Sequence, residues 1–205
     1  MPIIFITFIV FVIWLRVKLR KTDSVQTEET QKFWEREQQA NFARTRDISN
    51  LDYLAIPEDA LPFQHADTLT DEREQDLEEQ VRDASMRKML NLSGLSNTDL
   101  KEQYGIANLE ELSNCDQNFT IFIRRLANWG NYLYEKKDFT RARQIMEYSL
   151  SIGSDISTVY ITLGHIYAKE NEIGKIDELI TLVQQSDFAL KTSMLKQLSL
   201  CKLES

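Results

Sequence analysis

The chain has 205 residues, 42% of them apolar and 27% charged, a balance that fits a folded protein and excludes a disordered one. Six Gly and three Pro are too few for a turn-dense β architecture, and two Cys with two His are too few for a disulfide scaffold or a zinc-finger cluster. A formal charge of −8 argues against a general nucleic-acid binder, because neutralising phosphates needs a basic surface.

Residues 1–15, MPIIFITFIVFVIWL, carry no charge and a single polar side chain, Thr7; Arg16, Lys18, Arg20 and Lys21 follow at once. A secretory signal would place its basic residues before the apolar run and a small-residue cleavage site after it. Here the order is reversed, which predicts an uncleaved transmembrane helix. The run Pro2–Leu19 spans 18 residues, roughly 27 Å as a helix, enough for a hydrocarbon core of ~30 Å if Arg16 and Lys18 snorkel. Trp14 stands where an interfacial aromatic belongs. Basic residues only on the C-terminal side predict a single-pass protein of the cell membrane with its C-terminal domain in the cytoplasm. In that topology the sequons at Asn91 and Asn118 carry no information.

Without those four basic residues the rest of the chain has 20 bases against 32 acids, a formal −12. From Asp47 to Glu79 there are 11 acids and one base, Arg73. No D-x-D-x-D-G loop accompanies them, so a solvated tether is expected rather than a calcium site. Residues 24–46 lack Gly and Pro and predict a helix that extends the anchor or lies beside the membrane. Its Phe33, Trp34 and Phe42 are too few for a continuous apolar stripe and are consistent with either the headgroup layer or the downstream domain. In residues 50–63, Leu51, Tyr53, Leu54, Ile56, Leu61 and Phe63 cluster around Pro57 and Pro62, which forbid a continuous helix. An internal strap is favoured over a ligand for another protein, since so apolar a cluster left exposed invites aggregation.

Helical periodicity begins at Thr70, a candidate cap, and runs to Leu92 through Leu77, Val81, Ala84, Met86, Met89 and Leu90 until Gly94 stops it. Ser96 or Asn97 caps a short helix ending before Gly105, and Asn108 another at 109–112. Five segments of helical period follow, at about 117–136, 139–152, 156–170, 173–185 and 188–203. Their short junctions require antiparallel neighbours. The expected fold class is all-α: a transmembrane anchor with its basic flank (1–21), a juxtamembrane helix and acidic, Pro-containing tether (22–69), and a helical domain (70–205).

The later segments repeat with a period of 34. Leu126-x-x-Trp129-Gly130-x-x-Leu133 aligns with Tyr160-x-x-Leu163-Gly164-x-x-Tyr167, and Ala142 follows Gly130 by twelve residues. This resembles the tetratricopeptide (TPR) repeat, a 34-residue helix-turn-helix unit. The likeness covers about residues 123–190, as units 123–156 and 157–190. It departs from the pattern at Ile176, which replaces the small crossing residue, and in the absence of Pro at the end of both units. Two units need neighbours to stack on, so the helices at 71–92 and 188–203 are expected to cap them, giving antiparallel hairpins in a fragment of an α-solenoid. The whole chain resembles membrane-anchored bacterial proteins of this design, a likeness that implies no activity.

The resemblance implies roles for positions. Leu126, Trp129, Gly130, Leu133, Ala142, Tyr160, Leu163, Gly164 and Tyr167 would pack the repeats. Arg124, Ala127, Asn131 and Tyr134, then Thr158, Ile161, His165 and Ala168, would line a concave groove. Within it Arg124 suits a carboxylate, Asn131 backbone amides and Tyr134 an apolar anchor. No catalytic signature accompanies them: no G-x-S-x-G, phosphate-binding glycine loop, H-E-x-x-H or C-x-x-C occurs. His65 falls in the acidic tether, and Cys115 and Cys201 are isolated. The sequence therefore predicts no enzyme, cofactor, metal, nucleic acid or small-molecule substrate. It predicts an adaptor whose partners are the bilayer, through the N-terminal helix, and a protein or peptide. A permanently docked subunit of a membrane complex is the alternative.

Overall fold

The computed structural model describes residues 2–57, 59–64 and 71–204, and leaves aside the side chains of 2–7, 9, 10, 12, 13, 17, 19–26 and 204. The described residues form eight α-helices and one 3-10 turn, with no strand. They fall into two compact units, 1–49 with 94–111, and 50–93 with 112–205.

In the first unit, helix α1 (Pro2–Ala40) is continuous over 39 residues, ~58 Å at 1.5 Å per residue. Pro2 occupies the first helical position, and no Gly or Pro interrupts the helix after it. Residues 24–40 thus extend the N-terminal helix, and the chain leaves it after Ala40 rather than near residue 46. Among the described residues no helix is long and apolar enough to cross a membrane. Most side chains of the apolar run expected to do so lie outside the described set.

The end of α1 packs on helix α3 (Asn97–Tyr104). Arg36 reaches Asp99 and Glu102, each at 2.6 Å, and Glu37 accepts from Thr98 Oγ1 and pairs with Lys101. Ser96 starts α3 with a capping box: its hydroxyl accepts from Asp99 N–H while the Asp99 carboxylate accepts from Ser96 N–H. Gly105 ends α3 at φ +86°, and a Cβ there would lie 2.6 Å from the Thr45 backbone, so this crossing requires glycine. A 3-10 turn, Ile106–Asn108, leads into helix α4 (Leu109–Glu135). The helices expected at 109–112 and 117–136 are one, because no Gly or Pro separates them before Gly130.

The second unit holds helix α2 (Glu72–Ser85), α4 from Leu112, and helices α5 (Phe139–Ser151), α6 (Ser157–Lys169), α7 (Ile173–Gln185) and α8 (Lys191–Glu204). Asp71 caps α2 by accepting from the N–H groups of Arg73 and Glu74; Thr70 lies outside the described residues. Helix α2 also stops at Ser85, not near Leu92. Leaving the helix lets Met89 and Leu90 become buried while Met86 is exposed, with Leu90 N–H donating to Cys115 O.

One core cluster joins Val81, Ala84 and Met89 to Phe119, Phe122, Leu126, Trp129, Leu133, Ala142 and Ile145. A second joins Met146, Val159, Leu163, Ile176, Leu179, Met194, Leu198 and Cys201. The prolyl segment is an internal strap on the first cluster. Leu61 is buried in it, Leu54, Ile56 and Phe63 pack against it, and Leu54 N–H donates to Met89 O. Phe63 stacks on Trp129 with ring centroids 5.4 Å apart.

The two hairpin turns are built alike. Lys137 and Asn171, 34 positions apart, both hold positive φ. Asp138 N–H donates to Leu133 O as Glu172 N–H does to Tyr167 O, the 6→1 closure that ends a helix through a left-handed residue.

Candidate functional site

The expected groove residues lie on helices α4 and α6 of the second unit, and α2 lies beside α4. Along α4 the spacing 124, 128, 131, 135 repeats at four, three and four, which keeps these residues on one side of the helix. Arg124 and Asn128 are exposed, and Asn131 is half-buried with its Oδ1 accepting from Thr162 Oγ1 of α6 at 2.7 Å. On α6, Thr158 is exposed and Ile161 and Ala168 are half-buried.

Tyr134 and His165 are less free than a groove anchor would be. The Tyr134 ring lies 5.4 Å from Phe139 and 6.5 Å from His165, and Lys169 Nζ sits 5.1 Å over it. His165 Nδ1 is 3.4 Å from Cys201 Sγ, which α8 buries completely. Ala127 is 3% exposed and belongs to the second core cluster, so it packs rather than faces solvent.

The residues assigned to packing are all buried: Leu126, Trp129, Gly130, Leu133, Ala142, Tyr160, Leu163, Gly164 and Tyr167. The two glycines serve different neighbours. A Cβ on Gly130 would meet Met146 Cε of α5 at 2.7 Å, whereas one on Gly164 would meet Leu198 Cδ2 of α8 at 2.8 Å. Both crossings are close because the side chain is missing.

An open recess of about 370 Å³ lies on this face, lined by Arg73 and Leu77 of α2 and Asn128, Asn131, Tyr132 and Glu135 of α4. Only Asn131 among these was expected. The periodicity of α4 carries the signal for Asn128 and Glu135, whereas the repeat resemblance assigns the groove to Ala127 and Tyr134. Nothing in the local sequence places Arg73 and Leu77 opposite them, since that is a long-range packing result.

An ionic wall supports the recess. Tyr132 OH donates to Asp71 Oδ2 at 2.6 Å, Lys136 Nζ donates to Asp71 at 2.8 Å and Glu74 at 2.7 Å, and Arg141 Nη1 donates to Glu74 at 2.6 Å. Arg73 lies 5.0 Å over the Tyr132 ring. Hydrogen bonds from Lys136 and then Tyr132 hold the Asp71 carboxyl well below its ordinary value. Burial pushes the Glu74 carboxyl up, but the bonds from Lys136 and Arg141 outweigh it and leave the group lowered. Glu78, one turn on, is raised by burial despite Gln64 N–H, Arg82 and Arg141 nearby. Three of the acids expected in a solvated stretch are thus held at and along α2, because Lys136, just past α4, and Arg141 of α5 pair with them. His65, in the expected tether, falls outside the described residues.

No group of His, Cys, Asp or Glu among the described residues is arranged to hold a metal ion. Neither Cys115 nor Cys201 forms a disulfide, and both are buried. The described residues define an all-α fold with an open recess of mixed polarity. No protein-family model matches the chain, and comparison with curated proteins and with solved structures returns no match.

Proposed function

We propose that this is a single-pass membrane protein that presents a TPR-like domain to the cytoplasm as a protein-interaction adaptor. The observation that carries the reading is the open recess between α2 and α4, where a guanidinium, a carboxylate, two carboxamides, a phenol and a leucine converge. Such a mixture suits a peptide backbone with one apolar side chain better than a reactive small molecule. The uncharged N-terminal run with its basic C-terminal flank supports the anchor and its orientation. Anchoring confines the recess to the membrane surface and raises its effective concentration toward membrane-bound partners.

A permanently docked subunit is the second reading, and exposed leucines favour it. Leu182, Leu190, Leu200 and Leu203, on and between α7 and α8, are 44%, 59%, 49% and 81% exposed. Photocrosslinking in living cells separates the two. A photoreactive residue in place of Asn128 gives the dominant protein adduct if the recess recruits partners. A dominant adduct of fixed stoichiometry from position 203, with none from 128, refutes the adaptor reading and favours the docked subunit.

A further inference from the structure

Beneath the strap, Glu78, Trp129 and Arg141 contain buried polar atoms that no hydrogen bond among the described residues satisfies. They are Glu78 Oε2, Trp129 Nε1 and both Nε and Nη2 of Arg141. Trp129 is 0% exposed and Glu78 3%. Unsatisfied polar atoms this deep are rare in native folds, because each loses its solvation without replacement.

Their arrangement is specific. Arg141 spends Nη1 on Glu74, which leaves the Nε–Nη2 edge on the other side. Its Nη2 stands 3.7 Å from Glu78 Oε2, beyond direct hydrogen-bond range, and its guanidinium carbon lies 5.9 Å from the Trp129 ring centroid. The other carboxylate oxygen, Glu78 Oε1, is taken by Gln64 N–H at 2.8 Å and Arg82 Nη2 at 3.1 Å.

We propose that one enclosed water molecule bridges Glu78 Oε2 to the free edge of Arg141 and accepts the Trp129 indole N–H. Two hydrogen bonds of ~2.8 Å meet at about 80° over a gap of 3.7 Å, within the reach of a single water oxygen. That oxygen offers one lone pair to the forked Nε–Nη2 edge of Arg141, the other to the indole N–H, and a proton to the carboxylate, which matches the three sides of the site. Charge selects the ligand class. A metal cation would meet N–H donors on two sides, and an anion would meet a carboxylate oxygen, so a neutral donor–acceptor fits.

The strap closes the site. Phe63 lies between Trp129, stacked at 5.4 Å, and the Arg82 guanidinium, 4.4 Å from its ring, while Gln64 N–H ties the next residue to Glu78. The water exchanges with bulk only when the strap lifts, so its residence time measures strap opening.

The test uses the full chain, isotopically labelled and held in detergent micelles, with NOE and ROE spectra recorded at the water frequency. Trp14→Phe and Trp34→Phe, both at exposed positions, identify the Trp129 indole proton by elimination among the three tryptophans. The expected result is a cross-peak to water at both the Trp129 Nε1 and Arg141 Nε protons, with the signs of a long-lived dipolar contact. A slowly exchanging indole without a water cross-peak means a dry site and overturns the proposal. Cross-peaks from chemical exchange alone mean a site open to bulk and overturn it equally. Phe63→Leu, which keeps apolar bulk but not the stacked ring, is expected to shorten the residence several-fold. An unchanged residence in that folded variant overturns the sealing role of the strap. The unmodified chain supplies the primary result, so a misfolded variant does not remove the test.

Discussion

Lys137 and Asn171 stand 34 residues apart and adopt the same left-handed backbone, φ 66° and 59°, at the turns that close the α4–α5 and α6–α7 hairpins. Asn tolerates this conformation through its short polar side chain, whereas Lys has no such compensation. Lys137→Gly should therefore stabilise the fold by about 1 kcal/mol, and Asn171→Gly by clearly less. Thermal melts of the two variants check this; equal shifts would mean that the two turns carry the same strain.

Trp129 is the largest side chain in the core, fully buried and stacked against the strap. Trp129→Ala should cost about 3–5 kcal/mol, a large share of the roughly 5–15 kcal/mol that holds an ordinary domain together. A melting temperature that barely moves would contradict the packing of α4.

Asp71 and Glu78 should respond to pH with opposite signs. The Asp71 carboxyl is lowered, chiefly by its bond from Lys136, so its stabilisation is present above the ordinary carboxylate value and lost as pH falls. Asp71→Asn, which keeps a capping side chain, should melt below the parent at neutral pH, with the gap closing in acid. Burial raises the Glu78 carboxyl, so its stabilisation is present below the ordinary value and lost as pH rises through the raised one. Glu78→Gln should melt at or above the parent at neutral pH and converge with it in acid. Melts across pH 3–8 are the check, and parallel curves for both variants would contradict the ionic wall.

The expected groove residues divide by what they touch. Arg124 and Thr158 are exposed, so replacing either with Ala should change stability by no more than about 0.5 kcal/mol. Tyr134→Ala should cost about 1–3 kcal/mol, because its ring packs on Phe139 and beside His165. Chemical denaturation distinguishes these values directly. A neutral Tyr134→Ala would return that side chain to the open face.

The helical content and most hairpins were legible because apolar spacing, scarce Gly and short junctions all point one way. The strap was legible too, since two prolines within an apolar cluster exclude a helix and favour burial. The end of α2 was not. Met86, Met89 and Leu90 continue a helical spacing, yet burying Met89 beside Phe119 and Phe122 is a tertiary gain that local pattern does not display. The acids at 71, 74 and 78 were unreadable for the same reason. Their partners Tyr132, Lys136 and Arg141 are more than fifty residues away in sequence. The recess joins α2 to α4 across a similar separation, so only its α4 half was visible as a periodic face.

The proposed anchoring of the chain by its N-terminal run, with the helical domain in the cytoplasm, is open to paired reporter fusions after Ser205, one active only in the cytoplasm and one only outside it. The expected outcome is activity of the cytoplasmic reporter alone, recovery of the chain in alkali-washed membranes, and a weakened orientation when Arg16, Lys18, Arg20 and Lys21 are neutralised. Activity of the external reporter, or release of the intact chain by the alkaline wash, would contradict it.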